Sequence, residues 1–234
     1  AGIVTPKDVS SFLGGTGLAI LRSASNPERA LVLRGGPNLA HGHDDLLALN
    51  FYTGGYEITG DIGYGISGSH VNSGWGRQSI SHNLVVVDKA SRRIHRYFQI
   101  GPGSDTHGFF DAGWLSFVDM DGASHYNATD SQIKTYRRGL FHVDVGDNGY
   151  IVDLFNVSGG TVHDYAFRAR GSTLMIDGIK TEVPDKAWTL AGLDYPDATY
   201  NAKGRSWGER ILSSEKVREL GLPGENIGPR GWVA

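Results

Sequence analysis

"RRGLFHVDVGDNGYIVDLFNV" (residues 137–157) decides the fold. Two runs of alternating apolar and polar residues flank Gly146-Asp147-Asn148-Gly149. On a strand, successive side chains point to opposite faces. Glycine, Asn and Asp supply the positive φ that a tight hairpin turn needs. The segment is expected to be an antiparallel hairpin with one face in a core. A second hairpin is expected where "LLALNFYT" (46–53) and "YEITGDIG" (56–63) flank Gly54-Gly55.

Working outward, more strand signals appear. "GLAILRSA" (17–24) and "RALVLRGG" (29–36) are short apolar runs separated by a Ser/Asn/Pro turn. "HNLVVVD" (82–88) is a continuous apolar run, the pattern of a strand buried on both faces. "GWLSFVDM" (113–120) alternates, and "HDYAFRARG" (163–171) and "STLMIDG" (172–178) follow. Ten or more short strands imply an all-β chain, an antiparallel β-sandwich with little helix. Composition shifts near residue 184, which divides the chain into a sandwich domain (1–183) and a loop-rich tail (184–234). One short helix is expected in the tail, in "SSEKVREL", with Ser214 as N-cap and Gly221 and Pro223 beyond its end. The chain starts on Ala1 and ends on Val233-Ala234, which reads as a piece of a longer protein.

Composition bounds the function. The 234 residues are 39% hydrophobic and 20% charged, as in a folded globular chain. The 34 glycines are about twice the usual share and mark many turns and bulges. A net charge of -3 gives no pull toward nucleic acid or an anionic membrane. Two basic clusters, Arg92-Arg93-His95-Arg96 and Lys134-Arg137-Arg138, read as solvated strand faces or as contacts to an anionic ligand. The absence of cysteine excludes disulfides and thiolate metal sites. No apolar run reaches the ~18 residues of a membrane span.

The chemistry-bearing residues begin at "AHGHDD" (40–45). His41 and His43 share a face if a strand has begun by residue 41. Asp61 lies in the second arm of the Gly54-Gly55 hairpin, and His82 opens the apolar run of residues 84–87. Two neutral imidazoles and a carboxylate make a zinc donor set with a fourth position left for water or another group. Equally, each can be a separately satisfied core or surface residue. A two-residue turn would set Asp61 opposite residue 48, about 16 Å along the strand from His43. A bulge, a larger loop or another neighbour is then needed to join them. A cupin-type metal oxygenase also places His-x-His on a β scaffold. Its motif fails here, for Ala48 and Leu49 stand where a Glu is required and "GRQSISHN" has no proline.

The ordered set "HGHDD", "GDIGYG" and "SHNLVVV" resembles the heparinase II/III-like β-sandwich domain of polysaccharide lyases. "YRRGLFHVDVGDNGYIVDLFNVSGG" and "HDYAFRA" continue the resemblance less specifically over roughly residues 15–170. The resemblance implies β-elimination on an anionic, uronate-containing polysaccharide such as alginate or heparin. It implies a structural zinc held by His43, Asp61 and His82, and His41 as the catalytic residue of the sandwich. It requires the hairpin turn to be wider than two residues. It also implies an N-terminal helical toroid bearing the remaining catalytic groups, and a periplasmic or secreted location. A homodimer is compatible with it. Arg77 and Tyr64 are the candidate substrate contacts. His70, His95, His107, His125, His142 and His163 are expected in scaffold or solvent. The competing expectation is a non-catalytic carbohydrate-binding sandwich.

Overall fold

The computed structural model describes residues 9–37, 42–61, 63, 76–89, 103–127, 132–170, 175, 177, 178 and 180. The hairpin of residues 137–157 is its longest feature. Strands β9 (Thr135–Val145) and β10 (Asn148–Ser158) run eleven residues each and pair without interruption from Val145↔Asn148 to Thr135↔Ser158. The turn is thus the pair Gly146-Asp147, tighter than the four-residue turn expected, and these strands are not short. Period-two alternation accounts for their length: Tyr136, Arg138, Leu140 and His142 point inward and are buried, while Arg137, Phe141 and Val143 point outward.

β8 (Leu115–Asp121) pairs with β9, and β7 (Asp105–Asp111) with β8, giving a four-stranded antiparallel sheet in the order β10-β9-β8-β7. β7 was not anticipated from sequence. A register shift between Thr106 and Gly108 breaks its alternation. On the outer face of this sheet, the rings of Phe110, Phe117 and Phe141 form a ladder with centroids 5.4 and 4.4 Å apart. Exposed Tyr150 and Leu154 extend that apolar face along the edge strand β10.

The facing sheet is a five-stranded meander, β1 (Ser11–Leu13), β2 (Leu18–Arg22), β3 (Ala30–Arg34), β4 (Leu49–Thr53) and β5 (Tyr56–Glu57). Leu21, Leu31 and Leu33 from this sheet meet Val118, Met120 and Leu140 from the other in one core. The approach at the β1–β2 turn requires glycine. Gly17 has φ 60°, its carbonyl accepts the Gly35 N–H at 2.7 Å, and a Cβ on Gly36 would lie 2.0 Å from the Thr16 carbonyl.

A third, two-stranded sheet joins β6 (Leu84–Val87) to β11 (His163–Ala166). β6 is buried on both faces, as its unbroken apolar run requires. Val85 and Val87 enter the main core, whereas Leu84 and Val86 pack with Ala48, Ile80 and Ala166. Among the described residues β6 has a single ladder partner, and a side chain serves one of the carbonyls on its other edge. The Tyr136 hydroxyl donates to the Val85 carbonyl at 2.5 Å. A short helix, α1 (Ala123–Asn127), follows β8 and was not anticipated. Most of "STLMIDG" and the whole expected tail helix lie outside the described residues; Met175 is exposed and not in a strand.

Tyr136→Phe removes the hydroxyl and leaves the buried Val85 carbonyl without that donor. The expected loss is about 1–3 kcal/mol of unfolding free energy. Urea denaturation should show a lower midpoint with an unchanged slope.

Candidate metal centre

His43 stands in a loop, not on a strand. β4 begins at Leu49 and residues 42–48 are not in a strand, so the strand face expected for His43 is not formed. The loop 42–48 turns through Leu47, whose φ of 63° is left-handed for a residue with a β-carbon. Its backbone is pinned on two sides. Asp44 N–H donates to the Arg77 carbonyl (2.9 Å), and the Ser79 hydroxyl donates to the Asp44 carbonyl (2.8 Å). Leu47 N–H donates to the Arg34 carbonyl (2.7 Å), and Asp45 pairs with the Arg34 guanidinium (2.7 Å). The two aspartates after His43 therefore fasten its loop to the segment 77–79 and to β3.

Asp61 reaches the site by a different route from the one expected. The Gly54-Gly55 turn is two residues wide, with Thr53↔Tyr56 and Tyr52↔Glu57 in register, so the wider turn is overturned. The separation of about 16 Å assumed two straight arms, and neither arm is straight. β5 ends at Glu57, Thr59 takes the Phe51 N–H on its hydroxyl (2.8 Å), and Gly60 turns the chain at φ 45°. Asp61 N–H then donates to Glu57 Oε1 (3.1 Å), an oxygen that also accepts from Asn50 Nδ2 (2.8 Å).

His82 follows the 3-10 turn Ser79–Ser81, and its N–H donates to the Ser79 carbonyl (3.0 Å). The three loops converge. One donor atom from each of His43, Asp61 and His82 lies within 4.8 Å of the others. The imidazole centroids are 5.3 Å apart and tilted by 40°. His82 Nδ1 and Asp61 Oδ2 are 2.9 Å apart, and Asp61 Oδ1 accepts the Gly63 N–H at 2.6 Å.

The donor set fits a metal ion. Nε2 of both His43 and His82 is buried with no hydrogen-bond partner among the described residues. A buried polar atom left so costs about 1–3 kcal/mol, and a cation would satisfy both nitrogens at once. Tetrahedral zinc holds its ligand atoms about 3.4 Å apart, so the set is open by little more than an ångström. The electrostatics agree. Burial lowers the His43 pKa, and the neighbouring His82 lowers it further against the pull of Asp45 and Asp61. At neutral pH that imidazole presents a lone pair, as ligation requires. Burial alone would raise the Asp61 pKa. The hydrogen bond to His82 and the charges of both histidines outweigh it and hold the carboxyl well below the usual carboxylate range.

Residues 5–180 match the family model of the heparinase II/III-like C-terminal domain. The chain belongs to that family. No curated protein matches it. The heparinase II/III-like family is one of polysaccharide lyases, typically extracellular or periplasmic. Among the described residues no helix is long and apolar enough to cross a membrane.

Within this heparinase II/III-like chain the remaining candidates divide. Arg77 is half-buried beside the loop of His43, and its charge further lowers the His43 pKa. His41 and Tyr64 lie outside the described residues, as do His70 and His95. His125 and His142 are buried in the scaffold, whereas His107 is exposed and His163 is exposed with Nε2 2.7 Å from the Gly159 carbonyl. The reading of Lys134-Arg137-Arg138 as one surface cluster is corrected. Arg137 is exposed and paired with Asp119, but Arg138 is fully buried and paired with Asp153. Sequence reasoning missed Arg138, Asn83 and Glu57, each bonded to a loop that carries a candidate ligand. For Arg138 a signal existed: it shares strand parity with the inward Tyr136, Leu140 and His142.

In chelator-treated protein, the depressed Asp61 pKa contributes stability that is full above about pH 4, the unfolded value. That contribution is lost as pH falls through the folded value. Asp61→Asn should therefore be less stable than the parent at pH 5–7, by a margin that narrows on acidification below about pH 4. Urea denaturation across pH checks this, and a margin independent of pH would contradict it.

Proposed function

We propose that this chain is the sandwich part of a lyase that cleaves uronate-containing polysaccharide, alginate or a glycosaminoglycan, by β-elimination. The supporting observation is the clustering of donor atoms of His43, Asp61 and His82 within 4.8 Å, with one ring nitrogen of each imidazole buried and unpartnered among the described residues, in a chain of a polysaccharide-lyase family. The ion this reading assigns is zinc, held by His43, Asp61 and His82. Two imidazoles and one carboxylate match its preference. Its contribution is structural: bound there, it fixes the backbone two residues from His41.

The reaction sets the remaining demands. The C5 proton of a uronate is barely acidic while the adjoining carboxylate is charged, so a neutralising partner must stabilise the enolate-like intermediate. A base removes the proton and an acid protonates the leaving oxygen. His41 is assigned to this chemistry from the sandwich side of the cleft, beside the substrate carboxylate. Arg77 and Tyr64 are assigned to substrate contact. The neutralising group and a tyrosine acid/base belong to a helical toroid that faces the sandwich in the complete enzyme. A periplasmic or secreted location suits a polymer that cannot enter the cell.

Purified protein should contain about one zinc per chain by elemental analysis, lost on dialysis against a strong chelator. A metal-free protein that stays metal-free after incubation with zinc sinks the zinc assignment. In the enzyme carrying both domains, His41→Ala should lower turnover by about 10²–10⁴-fold with zinc content unchanged. The assay is the ultraviolet absorbance of the unsaturated uronate product on alginate and on heparin. Loss of zinc together with turnover would mean that His41 and His43 are misassigned. Binding of both polymers with no unsaturated product would make the sandwich a carbohydrate-binding module.

A further inference from the structure

We infer that Arg138 is the positioning residue of the metal centre: its buried guanidinium sets the spacing of the loops that carry His43 and His82. The inference rests on the metal reading above. Arg138 lies on β9, fully buried, and all five of its side-chain N–H groups find acceptors. Nη1 donates to the Leu47 carbonyl and to the Asn83 carbonyl, each at 2.6 Å. Nε and Nη2 grip Asp153 at 2.9 and 2.6 Å, and Nη2 also reaches the Tyr165 hydroxyl at 3.3 Å. That hydroxyl donates to Asp153 Oδ2 at 2.5 Å, and the Phe155 ring lies 4.9 Å from Cζ.

The two carbonyls on Nη1 belong to the two histidine loops. Leu47 comes four residues after His43, at the left-handed turn, and Asn83 directly follows His82. Two acceptors on one nitrogen sit about 4.5 Å apart. Without a cation between them, two carbonyl oxygens would face each other and the loops would part. Asn83 extends the same junction to the third ligand. Its Nδ2 donates to the Leu49 carbonyl (3.2 Å) and to the Thr59 carbonyl (3.1 Å), two residues before Asp61. One guanidinium and one amide therefore tie all three ligand-bearing segments to the long hairpin. Lysine cannot replace the fork, because its three donors radiate from a single point and do not span carbonyls on one side and a carboxylate on the other.

The test compares Arg138→Lys and Asp153→Asn with Leu21→Ala, a buried core variant on β2, two strands away from β4 and unpaired with any residue of this network. The readouts are the zinc dissociation constant by competition with a chromophoric chelator, the visible spectrum of the cobalt(II) form, and apo stability in urea. Arg138→Lys and Asp153→Asn are expected to weaken zinc binding about 10–100-fold and to change the cobalt spectrum. Leu21→Ala should lose stability and keep both metal readouts. If Arg138→Lys does not fold, Asp153→Asn, which preserves shape, decides. Wild-type zinc affinity and cobalt spectrum in Asp153→Asn would overturn the inference and leave the metal site standing. Failure of the parent protein to take up either ion would overturn the metal reading and this inference with it.

Discussion

One buried positive charge holds this structure in its particular form. An isolated guanidinium in a core is costly, because a low-dielectric interior cannot replace its hydration. Arg138 is tolerated since a carboxylate, a phenol and two main-chain carbonyls surround it. The loops supplying those carbonyls lie where few ladder bonds are at hand, for one is outside any strand and the other opens a strand with a single ladder neighbour among the described residues. The charge and the loops thus satisfy one another. The four-stranded sheet supplies rigidity, and Arg138 passes it to segments that the sheets themselves do not reach.

The scaffold was readable where side-chain periodicity and turn chemistry agreed. The hairpin at Gly146-Asp147, the hairpin at Gly54-Gly55 and the doubly buried β6 all follow from patterns in single short segments. β7 was hidden because a bulge offsets its alternation. In the candidate centre, residue types and their order pointed to His43, Asp61 and His82, but their proximity did not follow from strand pairing. Pairing arithmetic applies only as far as Glu57. Beyond it, the path depends on Gly60, on the carboxylate of Glu57 and on a left-handed leucine. Leu47 carries no local signal for that conformation, since tertiary hydrogen bonds impose it. Arg138 was legible by parity and was misread because adjacent arginines suggest a surface.

The centre is braced by hydrogen bonds of the protein itself. Asp61 already holds His82, Glu57 already holds Asp61, and the loop of His43 is already bonded to residues 34, 77 and 79. Each of the two imidazoles keeps one ring nitrogen without a hydrogen-bond partner among the described residues. Such prearrangement reduces the ordering entropy that binding must overcome. It also reserves the fixed geometry for ligands on loops, where a small backbone shift moves a donor without disturbing a ladder.

The phenylalanine ladder on the outer sheet face bears on how the molecule behaves in solution. Phe110, Phe117 and Phe141, with Tyr150 and Leu154 beside them, place contiguous hydrocarbon against water. Salting-out ions and rising concentration both strengthen attraction between such surfaces. With a net charge of only -3, long-range repulsion offers little opposition. This face therefore favours self-association, and low-sulfate, mildly alkaline buffers favour dispersed molecules.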